Sequence, residues 1–112
     1  MPNISETNNV FTEIVVFTVE PEQQQKLIDA IVGEVERWVK HCPGFICATY
    51  HKSLDGTKVV NYAQWKSQAD WQAFTKDPQS KALGEKIKQV GIKNSEAHSY
   101  QVQRVIEAPE VF

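Results

Sequence analysis

Apolar and polar positions along this chain follow two different periods, and the changes of period divide it into elements. From Val10 to Val19 the run VFTEIVVFTV is β-branched and aromatic, which predicts a strand. Pro21 follows, suited to a first helical turn where its missing N–H costs nothing. Leu27, Ile28, Ile31, Val32, Val35, Trp38 and Val39 then recur at spacings of three and four, one broad stripe on a helix of about five turns. Pro43 and Gly44 end that helix.

Two extended segments come next, joined by Leu54-Asp55-Gly56-Thr57, and Asp-Gly between such segments predicts a hairpin. With Asp55 and Gly56 as a two-residue loop, counting outward pairs Tyr50 with Asn61, Ala48 with Ala63, and Ile46 with Trp65, all on one face with Val59. The other face carries Phe45, Cys47, Thr49, His51, Val60, Tyr62 and Gln64. Ser67 and Asp70 read as a capping box that opens a short helix through Trp71 and Phe74. Asp77-Pro78 restarts a second helix, with Ala82, Leu83 and Ile87 inward and Gly91 at its end. In EAHSYQVQRVI, His98, Tyr100, Val102, Arg104 and Ile106 alternate with polar neighbours, which predicts a final strand.

This order predicts an α+β fold: a ferredoxin-like βαββαβ antiparallel sheet with its helices on one face. Residues 10–106 form the single domain, 1–9 a polar flexible arm and 107–112 a tail. The sheet face without helices would carry Phe45, Cys47, Val60 and Tyr62, too apolar to stay wet. It is therefore expected to meet a copy of itself, giving a homodimer closed as a dimeric α+β barrel.

Composition narrows the partners. With 112 residues, 41% hydrophobic, the chain can build a core without metal or disulfide staples. A net charge of −2 argues against nucleic acid, which needs a basic surface. No apolar run approaches the roughly 20 residues that span a bilayer, and MPNISETNNV lacks the parts of a signal peptide, so no membrane role and a cytoplasmic location are expected. Cys42 and Cys47 flank a Pro-Gly turn without histidines at zinc-like spacing, and read as reduced thiols rather than a metal site.

The chemistry gathers on the helix-covered face. Ala48 and Ala63 opposite each other leave room where cores place Val or Ile, and a phenol (Tyr50), a carboxamide (Asn61) and an indole (Trp65) surround the gap. Trp71 and Trp38 could wall it from the helices. Such a slot suits a flat aromatic ligand, stacked on rings and fixed through its oxygens by amide and indole donors. A tryptophan in this place can also be plain core. Asn61 is the more telling residue, because a buried carboxamide costs free energy unless satisfied, either by a neighbour such as Tyr50 or by a ligand.

VVNYAQWKSQADW, with the preceding CPGF and DG hairpin, resembles the antibiotic biosynthesis monooxygenase family of dimeric α+β barrels over residues 10–106. The run Asn-Tyr-Ala-Gln-Trp is similar to the branch of that family acting on aromatic polyketides. The resemblance implies oxidation of phenolic, anthrone-like compounds to quinones by dioxygen with no metal, flavin or haem. It places substrate binding and polarisation on Asn61 and Trp65. A tyrosine of the family motif matches Trp71, and an arginine of the branch falls near Gly84, so this chain departs from the pattern twice. The family's haem-degrading branch carries an iron-ligating histidine on the helix after the tryptophan. The segment from Pro78 to Val90 has none.

Dioxygen accepts an electron readily from a carbanion or phenolate, and a dry pocket with fixed donors can stabilise the deprotonated substrate. Asn61 and Trp65 would hold the developing oxyanion as the catalytic pair, with Tyr50, Trp71, Trp38, Ala48 and Ala63 binding the ring system. Tyr50 is a candidate proton relay, although a phenol titrating near 10 is a poor base at neutral pH. His41, His51 and His98 read as solvated or structural. Two rival readings use the same residues: a module that binds or senses a flat quinone-like ligand without turnover, and a structural dimer whose slot is filled by side chains.

Overall fold

The β-branched run Phe11–Thr18 (β1) is an interior strand, paired antiparallel with Lys58–Trp65 (β3) on one side and Asn94–Gln101 (β4) on the other. Phe45–Lys52 (β2) pairs with β3, so the sheet order is β2-β3-β1-β4. Three helices, α1 (Gln24–Arg37), α2 (Gln68–Lys76) and α3 (Pro78–Val90), complete the ferredoxin-like α+β architecture. This computed structural model describes residues 10–109; the arm at 1–9 and the last three residues of the tail lie outside them. No helix among the described residues is long and apolar enough to cross a membrane.

Pro21 opens a 3-10 turn, Pro21–Gln23, before α1 begins. Leu27 and Ile31 of the expected stripe are buried, together with two polar residues, Gln24 and Glu34. Gln24 Nε2 donates to the carbonyls of Ser53 (3.1 Å) and Lys58 (2.9 Å), fastening the start of α1 to the root of the β2–β3 hairpin. Trp38 lies beyond the last helical residue with φ −141°, and a second 3-10 turn, Val39–His41, leads to Gly44. Gly44 has φ +83°, and a Cβ there would collide with the Asp70 side chain, so only glycine fits.

The hairpin keeps the expected register for Tyr50↔Asn61 and Ala48↔Ala63. Its turn is wider than two residues. Ser53 N–H donates to the Lys58 carbonyl and Gly56 N–H to the Ser53 carbonyl, while the Asp55 carboxylate accepts from Ser53 Oγ, Thr57 N and Thr57 Oγ1. At the other end the register shifts. Phe45, not Ile46, pairs with Trp65, because a β-bulge between Phe45 and Cys47 absorbs one residue. Phe45 therefore belongs to the helix-covered face and not to the open one.

Ser67 caps α2 by accepting from Asp70 N–H, and Asp77 caps α3 by accepting from Gln79 N–H. Gly91 ends α3 in the left-handed region, φ +93°. Leu83 and Ile87 face inward, whereas Ala82, expected beside them, is exposed. β4 stops at Gln101, opposite Phe11, although alternation continues to Ile106 in the sequence. β1 begins at Phe11, so Val102, Arg104 and Ile106 lie beyond the last pair of this ladder.

Candidate functional site

Register places the site row by row. On the helix side, one row across the sheet reads Tyr50–Asn61–Val15–Ala97 and the next reads Ala48–Ala63–Glu13–Ser99. A third, Phe45–Trp65–Phe11–Gln101, closes the end toward α2. Short side chains on the first two rows leave a cavity of about 250 Å³ between sheet and helices. The cavity lies between two apolar clusters, one around Phe17, Leu27, Ile31 and Val59, the other around Trp38, Val39, Ala63 and Trp65.

Six of the seven expected site residues line this cavity: Ala48, Tyr50, Asn61, Ala63, Trp65 and Trp71. Trp38 does not. Its indole N–H donates to Glu34 Oε1 (3.2 Å) and its ring packs 5.6 Å from Phe74, so it supports the wall from behind. Leaving the helix at Trp38 turns this side chain away from the face that the stripe implied.

Asn61 is the decisive side chain. Its Oδ1 is buried and has no hydrogen-bond partner, so Tyr50 does not satisfy it. Trp65, 2% exposed, is set by rings: Phe74 stacks at 5.0 Å and Phe45 meets it edge-on at 5.3 Å. Trp71 leans on Phe11 at 5.1 Å. Burial pushes the Tyr50 phenol well above its ordinary value, so it stays protonated near neutral pH.

Three contributors escaped the sequence reading. Phe45 reaches the cavity through the bulge, and Phe74 arrives on α2. Glu13 is the third: a carboxylate 8% exposed, lining the cavity, its Oε2 accepting from Ser99 Oγ at 2.7 Å. Among the described residues it has no ion-pair partner. The signal was the alternation Phe11, Glu13, Val15, Phe17, which sets one charge among apolar neighbours on a single face.

The remaining candidates stay apart from the cavity. His51 shares a hydrogen bond with Thr49 Oγ1 (3.2 Å) on the opposite face, where His98 meets Tyr100 edge-on. Burial raises both cysteine thiols, and Cys47 Sγ donates to Gln64 Oε1, which leaves them poor nucleophiles. At Gly84, where the resemblance set an arginine, a Cβ would meet nothing within 4 Å. No group of three or more metal-binding side chains occurs among the described residues.

The profile of the antibiotic biosynthesis monooxygenase family matches residues 10–86. The chain is 49% identical to tetracenomycin-F1 monooxygenase of Streptomyces glaucescens over 78 residues, 70% of each protein. Its fold superposes with a TM-score of 0.87 on the ActVA-Orf6 monooxygenase of Streptomyces coelicolor in complex with nanaomycin D. That match has 35% identity and covers 96% of this chain and 100% of the other. SnoaB, a cofactor-independent oxygenase from Streptomyces nogalater, shares the fold at 16% identity and a TM-score of 0.70, over 89% of this chain and 99% of its own.

Proposed function

Because this chain belongs to the antibiotic biosynthesis monooxygenase family, and is a monooxygenase, we propose that it oxidises a flat phenolic or quinol-type aromatic to a quinone with dioxygen alone. The observation that carries this reading is the orphaned Asn61 oxygen at a cavity floored by alanines. A buried acceptor without a partner is costly, and a substrate hydroxyl donating to that oxygen would relieve it. The volume is just under the roughly 300–1,000 Å³ usual for ligand sites, room for one flat guest. Relatives support the substrate class: one acts on a tetracenomycin and another holds nanaomycin D.

In this mechanism the substrate stacks between Trp71 and the rings around Trp65. Asn61 and the Trp65 N–H donate to the oxygen on which negative charge develops. The electron-rich anion passes an electron to dioxygen, and the two radicals combine to a peroxide that loses water to form the quinone. Neither metal nor organic cofactor has a step in this sequence, in keeping with the cofactor-independent description of SnoaB. The acting form is a cytoplasmic homodimer joined through the open sheet face, where Ile14, Val16, Val60 and Tyr62 make an apolar centre. Light scattering at micromolar concentration tests the dimer.

Oxygen uptake with a panel of anthrones and quinols tests the activity. One dioxygen consumed per quinone formed is the expected result. Tight binding without uptake across the panel would select the non-catalytic binding module instead.

A further inference from the structure

We propose that Glu13 is the proton acceptor of this site, taking both carbon-bound protons that the substrate must lose. The assignment rests on the oxygenase reading above and supplies the base which Tyr50, held protonated by burial, cannot be. Glu13 stands in the row beside Asn61 and next to the row of Trp65, so its carboxylate lies diagonally between the two donors. It is more than nine-tenths buried, lines the cavity, and accepts one hydrogen bond from a serine hydroxyl. An aliphatic residue would fill this position at no electrostatic cost. A carboxylate kept there with no ion-pair partner among the described residues is placed to receive a proton from whatever fills the cavity.

The proton balance closes on one carboxylate used twice. A C–H bond of the substrate's activated methylene breaks, its electron pair spreads onto the oxygen held by Asn61, and the proton goes to Glu13. One electron passes to dioxygen and the radicals join in a C–O bond; the resulting peroxide takes the proton back. The second C–H proton then moves to Glu13 while the O–O bond breaks, and the departing hydroxide recovers it as water. The carbon is left as a carbonyl, and Glu13 is again ionised. Ser99 Oγ, at 2.7 Å, is the positioning residue that fixes which carboxylate oxygen faces the guest.

Anaerobic exchange isolates the first step from oxygen chemistry. Wild type and Glu13→Gln are incubated in heavy water with a dihydroxyanthrone, and loss of its methylene proton signal is followed by NMR. Wild type should exceed buffer, and Glu13→Gln should lose the acceleration by about a hundredfold. The glutamine keeps both shape and the hydrogen bond from Ser99. Formate should restore part of the exchange to Glu13→Ala, which serves equally if the glutamine variant does not fold. Wild-type exchange no faster than buffer, undiminished exchange in Glu13→Gln, or a folded Glu13→Ala that formate leaves unchanged would each overturn the assignment. Glu13-dependent exchange without oxygen uptake would sink the oxygenase reading and leave the base. Oxygen uptake with Glu13-independent exchange would do the reverse.

Discussion

Ala48 of β2 stands directly across from Ala63 of β3, and the space above the pair is cavity rather than core. Asn61 and Tyr50 occupy the neighbouring row. A sheet that placed Val or Leu at these two positions would close its interior and leave the Asn61 oxygen with neither partner nor guest.

Filling the hollow should therefore separate stability from binding. Ala63→Leu is expected to hold or raise stability, by up to about 2 kcal/mol for three added buried carbons, while weakening binding of a dihydroxynaphthoquinone at least tenfold, about 1.4 kcal/mol. Thermal melting and fluorescence titration read the two quantities. A destabilised variant that binds as well as wild type would mean that the guest sits elsewhere.

Asn61→Ala removes a polar group that already lacks a partner, so the fold loses little. Quinone formation should fall at least tenfold, about 1.4 kcal/mol of transition-state stabilisation. Trp65→Phe should slow turnover similarly, with a lower melting temperature because the indole packs against both Phe45 and Phe74. Steady-state rates beside circular dichroism decide it, and wild-type turnover in both variants would remove them from the site.

Tyr50→Phe is predicted to keep kcat within about threefold, because a phenol raised by burial does not ionise near neutrality. Its rate profile should match that of wild type up to about pH 10, the ordinary phenol value. An alkaline limb present in wild type and absent from Tyr50→Phe would return the proton-relay role to the tyrosine.

Glu34 ties α1 to α3. Its carboxylate accepts from Arg37 (3.0 Å), Lys86 (2.8 Å) and the Trp38 indole (3.2 Å), and hydrogen bonding to Arg37 first, then Lys86, holds it near pKa 2 rather than 4.5. A depressed folded-state pKa contributes stability above the unfolded value, and that contribution is lost as pH falls. Between about pH 4.5 and 2 the protein should lose on the order of 1–2 kcal/mol through this group, allowing for screening of its half-exposed partners. Urea unfolding across that range should show the loss in wild type and a flatter response in Glu34→Gln.

How much of this could be read from the chain depended on where counting could be anchored. Asp55-Gly56 fixed the middle of the hairpin, so the pairs Tyr50–Asn61 and Ala48–Ala63 followed even though the turn itself is wider. The bulge was hidden, because Phe45 and Ile46 are both apolar and either could face Trp65. β1 has no such anchor, and which side of it meets the helices is decided by pairing with strands far along the chain. Glu13 stood out as the one charge in its alternating row, but for that reason its row could not be assigned to the helix-covered face. Trp38 fitted a helical stripe, but the backbone leaves the helix there and Glu34 takes the indole N–H. Nothing in the sequence singled out Glu34, since its partner Lys86 is 52 residues away.

The extra residue in β2 has a consequence for chain length. Phe45 and Cys47 already sit in successive steps of the ladder, opposite Trp65 and Gln64. A homologue one residue shorter at Ile46 would run straight through, with an aromatic still over the indole and both faces unchanged. An insertion or deletion tolerated at this point, in a strand where any other would invert every side chain beyond it, lets relatives vary in length beside the site without rebuilding it.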